Sequence, residues 1–224
     1  MTQNARMIEF QRPDGSRCAG YYAEAGKDKP SVVVIQEWWG LNPQIRSVAE
    51  RFAAAGYNAL APDLYHGRVT QDADEANHLM NGLDFPGATF QDIKGAIAWL
   101  ASAGNGQVGV MGFCMGGALT VASAVHLPEA KAAVCFYGIP PKDFADPALI
   151  RMPFQGHFAT RDTWCTPEAV AGLEAAMKGA GQSPELFNYE ADHAFFNKLR
   201  PEVYDDAAAQ QAWTRTLDFF ARHL

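Results

Sequence analysis

Val108-Gly109-Val110-Met111-Gly112-Phe113-Cys114-Met115-Gly116-Gly117-Ala118 reads as a short apolar strand, a sharp turn and the start of a small-residue helix. Cys114 stands at the tip of the turn, with Gly112 and Gly116 two residues to either side. This is the spacing of a nucleophile elbow, G-x-S-x-G, with sulfur in place of oxygen. A strand that turns this tightly into a helix leaves no room for side chains at its flanks, which accounts for the glycines. The helix N-terminus beneath the thiol favours negative charge on the sulfur. Glycine-rich strand-to-helix turns also bind phosphates, but this one lacks the Lys and Ser/Thr of a P-loop and is not a clean G-x-G-x-x-G. A buried packing cysteine is the competing reading. A base and an orienting acid downstream would separate the two.

The chain has 224 residues, the length of an ordinary single α/β domain spanning 1–224. With 48% hydrophobic and 19% charged residues it carries enough apolar material for a large core. A net charge of −7 argues against nucleic acid and anionic membranes as partners, though not against a small anion in a local basic pocket. Residues 1–10 have no signal-like apolar core, and no run approaches a membrane span. Cys18, Cys114, Cys135 and Cys165 show neither CxxC nor regular spacing, so neither zinc nor a disulfide framework is expected. A cytoplasmic location without metal or cofactor is the expectation.

Outward from the elbow, strand and helix signals alternate. Ile8–Gln11 and Ala19–Glu24 form a hairpin through Pro13-Asp14-Gly15. Ser31–Ile35 is a β-branched run suited to a buried parallel strand, followed by a helix from Pro43. A strand at Tyr57–Pro62, helices at Ala73–Asn81 and Phe90–Ala103, and the elbow follow. Ala132–Tyr137, Met152–Phe158 and Pro184–Tyr189 read as strands, Pro167–Ala180 and Ala207–Ala221 as helices. The pattern predicts a mostly parallel sheet with helices on both faces and an N-terminal antiparallel hairpin. Ligand sites in such sheets lie beyond the carboxyl ends of the strands. The residues just after the strands are Glu37, Asp63, Cys114, Tyr137, Asp162 and His193.

An elbow hydrolase carries its triad in chain order nucleophile, acid, base, and Cys114, Asp162 and His193 follow that order. The thiolate would attack an acyl carbon, imidazole would hold and return the proton, and the carboxylate would fix the imidazole tautomer. Two backbone N–H donors are needed for the oxyanion, one from Met115 and one from the loop after Ser31–Ile35. His157, in the strand before Asp162, is a further candidate to approach the site. Cys18, Cys135 and Cys165 read as packing residues.

Gln36-Glu37-Trp38-Trp39-Gly40-Leu41-Asn42, Ala61-Pro62-Asp63-Leu64-Tyr65, Gly112-Phe113-Cys114-Met115-Gly116-Gly117 and Asp192-His193-Ala194-Phe195 resemble the dienelactone hydrolases, or carboxymethylenebutenolidases. The resemblance spans nearly the whole chain. It implies an α/β-hydrolase fold, a Cys114–His193–Asp162 triad and a small ester or lactone substrate cleaved through a thiol-acyl intermediate. It further implies that Glu37 contacts the cysteine and helps activate the thiol, that Trp38 N–H is the second oxyanion donor, and that Trp39 and Tyr137 line the pocket.

The chain departs from that family where substrate is bound. An Arg that holds the substrate carboxylate is replaced by Asn197, and Gln71–Asn81 lacks the family's second Arg. Losing a guanidinium removes a charge-assisted anchor; Arg68, Arg161 or Arg200 would have to replace it from another direction. Two other functions therefore stand beside the lactone hydrolase: a broader esterase or thioesterase for uncharged substrates, and a non-catalytic binder or thiol redox sensor. The protein is expected to be a monomer or weak dimer, with His66–Ala88 a candidate lid.

Overall fold

The computed structural model describes residues 4–224. An eight-stranded sheet of order β1-β2-β4-β3-β5-β6-β7-β8 runs through it. The strands are β1 (Ala5–Gln11), β2 (Arg17–Ala23), β3 (Ser31–Ile35), β4 (Asn58–Pro62), β5 (Val108–Phe113), β6 (Ala132–Phe136), β7 (Phe154–Ala159) and β8 (Glu185–Tyr189). β1 pairs antiparallel with β2 and β2 with β4, while β4 through β8 pair in parallel. This is the predicted architecture, with the N-terminal hairpin on one edge.

Alternation along the central strands divides the core in two. Val33, Ile35, Val108, Val110 and Cys135 face α4 (Lys94–Ala103), α5 (Met115–His126) and α6 (Pro167–Gly179). Val32, Val34, Met111, Phe113 and Val134 face α1 (Pro43–Ala54) and α7 (Asp206–His223). Successive side chains of a strand point to opposite faces, so continuous apolar runs such as Ser31–Ile35 must be covered on both. Every residue of β3, β4, β5, β6 and β7 is buried.

Helix starts follow local chemistry. Asn42 accepts from Ile45 N–H ahead of Pro43, Thr166 from Ala169 N–H ahead of Pro167, and Asp205 from Ala208 N–H. α2 (Ala73–Asn81) forms as expected. The helix expected over Phe90–Ala103 is regular only from Lys94. It is entered through one short turn, α3 (Phe85–Gly87), and a π-helical stretch, Ala88–Ile93. The apolar repeat Ile93, Ala96, Ile97, Leu100 supports regular helix only past that stretch. Within it, Asp92 is buried with Arg12 Nε at 3.1 Å.

The sheet and α5 meet at the elbow without side chains between them. A Cβ on Gly112 would overlap the Gly116 carbonyl, and one on Gly116 would lie 2.5 Å from the Ile35 and Gln36 carbonyl oxygens. All of these neighbours are backbone, which cannot rotate away. Gly112→Ala is therefore expected to lower stability by about 2 kcal/mol or more, measured as a reduced urea midpoint at unchanged slope.

Candidate active site

The turn after β5 holds Cys114 at φ 55° and ψ −118°. Such a conformation costs a side-chain-bearing residue about 1–3 kcal/mol and persists only when the surroundings impose it. Here Cys114 N–H donates to Phe136 O and Ala118 N–H to Cys114 O, each at 3.0 Å. The half-buried thiol is thereby presented beyond the carboxyl end of the sheet.

The loops after β7 and β8 are tied together by Thr160 N–H donating to Tyr189 O at 2.9 Å and Arg161 N–H to Ala191 O at 3.1 Å. That pairing brings Asp162 to His193. Asp162 Oδ2 accepts from His193 Nδ1 at 2.7 Å, and Oδ1 accepts from the N–H groups of Trp164 at 2.7 Å and Cys165 at 3.0 Å. With the proton on Nδ1, Nε2 of the neutral ring is left as the acceptor. Nε2 is buried and has no aligned hydrogen-bond partner. Burial disfavours charge on both groups. The His193 hydrogen bond and charge outweigh it at Asp162, whose pKa is lowered. At His193, the Asp162 hydrogen bond and the adjacent sulfur outweigh it, and the imidazole pKa is raised.

Glu37 stands just past β3 and is 2% exposed. Its Oε2 accepts from Asn197 Nδ2 and its Oε1 from the Tyr137 hydroxyl at 3.4 Å. Burial raises its pKa to about 7, against the opposing pull of His193, Asn197, Tyr137 and Arg200. Tyr137 has φ 37° and packs edge-on against His193 at 5.1 Å. The N–H groups of Trp38 and Met115 donate to no turn or loop carbonyl among the described residues. The Trp38 ring meets Trp39 edge-on at 5.1 Å.

Two cavities meet at Cys114 and His193. One, of about 580 Å³, is walled by Met80, Phe85, Tyr137, Ile139, Phe144 and Trp164. The other, of about 380 Å³, is walled by Glu37, Trp38, Trp39, Arg161, Trp164 and Arg200. Glu37, Trp38, Trp39, Cys114, Met115, Tyr137 and His193 line the two cavities, and Asp162 contacts His193.

Other expectations come out differently. Asn197 is 1% exposed, with Nδ2 donating to Glu37 and Oδ1 accepting from Leu199 N–H at 2.9 Å. It supports Glu37. Asp63 folds back on its own turn, accepting from the N–H groups of Tyr65 and Gly67. His157 lies inside the α7 side of the sheet, between the Tyr189 hydroxyl at 2.8 Å and Gln155 Oε1 at 2.9 Å, and burial lowers its pKa to about 3. Trp164 was not foreseen, although an aromatic two residues past Asp162 in a loop is a usable signal. Ile139 and Phe144 come from a proline-rich loop with no periodicity to mark their direction. Met80 and Phe85, from the segment considered a lid, reach the larger cavity.

Residues 18–224 match the model of the dienelactone hydrolase family. Protein usf of Aquifex pyrophilus is 33% identical over 98% of this chain and 99% of its own length. A protein of Escherichia coli (strain K12) that carries the provisional name carboxymethylenebutenolidase is 34% identical over 87% of this chain and 77% of its own. The crystal structure of a Klebsiella pneumoniae protein, provisionally named a dienelactone hydrolase, superposes with a TM-score of 0.87. It is 27% identical, covering 99% of this chain and 100% of that one.

The buried Glu37 makes stability depend on pH in a calculable direction. Its folded pKa of about 7 exceeds the ordinary 4.5, so between those values the folded state binds more protons than the unfolded one. Its contribution is complete below pH 4.5 and is lost as pH rises through 7. Denaturant titrations of wild type and Glu37→Gln at several pH values should show the stability difference moving against wild type across that window, by on the order of 3 kcal/mol.

Proposed function

The chain belongs to the dienelactone hydrolase family, and on that premise we propose that it hydrolyses a small ester or lactone with Cys114 as nucleophile, His193 as base and Asp162 as the group that orients the base. One observation carries the reading. Nδ1 of His193 is held at 2.7 Å by Asp162, Nε2 is buried without an aligned hydrogen-bond partner, and His193 borders the same two cavities as Cys114.

In the proposed reaction the Sγ–H proton passes to Nε2 and the sulfur bonds to the acyl carbon. The carbonyl oxygen takes up the negative charge and is met by the N–H groups of Trp38 and Met115. Collapse breaks the bond to the leaving oxygen, which receives the proton from Nε2, and a thioester remains on Cys114. A water then gives its proton to Nε2 and attacks the thioester. The acid leaves and the thiol regains the proton. Asp162, whose lowered pKa keeps it ionised, stabilises the imidazolium in both halves.

Glu37 modulates the thiol in this scheme. Ionised, it repels a thiolate and attracts the imidazolium; protonated, it does neither. A pKa of about 7 places that change at neutral pH. Trp39 and Tyr137 act as walls of the two cavities.

Hydrolysis of aryl acetates by Cys114→Ala and His193→Ala is expected to fall by about 10² or more in kcat. Asp162→Asn should fall comparably, because it no longer selects the tautomer. Intact-mass measurement of His193→Ala after brief exposure to an activated ester should show an acyl adduct on Cys114. Wild-type turnover in either alanine variant would remove the assignment.

A further inference from the structure

The two cavities at the thiol differ in kind. Among the lining residues of the larger one there is no Lys, Arg, Asp or Glu; its walls are Met80, Phe85, Pro86, Ile139, Pro140 and Phe144, closing on Cys114 and His193. A carboxylate entering there would lose its hydration with no cation to meet but the His193 ring, whose charge Asp162 already offsets, and burying a poorly paired charge is strongly unfavourable. The smaller cavity does hold guanidinium groups, but each already has a carboxylate partner. Arg161 grips Asp192 with two parallel hydrogen bonds of 3.1 Å, and Arg200 Nε is 2.6 Å from Glu202. Arg200 also lies over the Trp39 ring at 5.6 Å. Asp192 and the buried Glu37 border the same space and repel an anion whenever ionised. Asn197 is committed to Glu37 and Leu199 N–H.

We infer that the site selects uncharged esters bearing a bulky apolar substituent, seated in the Met80–Phe85–Ile139–Phe144 cavity, and discriminates against carboxylated lactones. The inference rests on Cys114 acting as the nucleophile, as proposed above. The physical lever is burial of apolar surface. Each methylene moved from water into the cavity is worth about a fourfold gain, up to the point where the cavity is full.

Two ester series test this, one lengthening the acyl chain and one lengthening the alcohol, each with a matched member ending in a carboxylate. The carboxylated dienelactone completes the panel. The expected result is that kcat/KM rises about fourfold per methylene in one series, and that each carboxylate falls at least about tenfold below its neutral match. Ile139→Lys, which places a cation in the apolar wall, should reverse the preference within each matched pair, read as the ratio of the two kcat/KM values. An unchanged circular dichroism spectrum reports that the variant is folded. Flat dependence on chain length in both series, or preference for the carboxylated lactone, overturns the inference.

Calorimetric binding of the same esters to Cys114→Ala separates the two readings. Tighter binding of longer neutral esters without any wild-type turnover would remove the hydrolase assignment and keep the cavity assignment. Turnover with no gain per methylene in rate or binding would do the reverse.

Discussion

The structure depends on one contact that contains no side chain. Gly112 of β5, Gly116 of α5 and the carbonyls of Ile35 and Gln36 at the end of β3 pack backbone against backbone. This close approach sets the height of α5 above the sheet and forces the intervening residue, Cys114, into φ 55°. It also puts the N-terminus of α5 beside the loop that carries Glu37, Trp38 and Trp39. Glycine is required at both positions because no side chain could be accommodated and no backbone atom could move aside.

Around that contact the site keeps several ionisable groups in a small buried volume. Asp162 and His193 stabilise one another's charges through a 2.7 Å hydrogen bond. Glu37 has no cation in contact; it is held by an amide and a phenol. Neutral donors offset part of the desolvation of a carboxylate but not all of it, so its pKa remains raised, to about 7. A guanidinium in place of Asn197 would supply the missing charge and keep Glu37 ionised. Asn197 therefore acts first on Glu37.

The distribution of arginines gives the site its remaining character. Each guanidinium bordering the smaller cavity has a carboxylate partner, Arg161 with Asp192 and Arg200 with Glu202. The larger cavity is built from loops and from the α2–α3 region, where Met80 and Phe85 pack at the edge of the core and, with Pro86, border the space above Cys114. Exposed Trp164 borders both cavities and stands near His193, its ring 6.1 Å away.

The sequence by itself determined the alternation of strand and helix, the parallel sheet with its antiparallel edge, and the order of Cys114, Asp162 and His193. Each of these is a local matter of apolar period, turn glycine or position after a strand, and local rules act over a few residues. Tertiary structure alone decided which residues at strand ends share a site. Asp63 was as well placed in sequence as Asp162, but its carboxylate closes its own turn, while Asp162 meets a histidine contributed by the next strand. Only the fold revealed that Asn197 is consumed by Glu37, 160 positions away, that His157 points into the core, and that the lining of one cavity lacks charge. Such pairings follow from how loops from distant segments close over the sheet, and no periodicity in the chain records them.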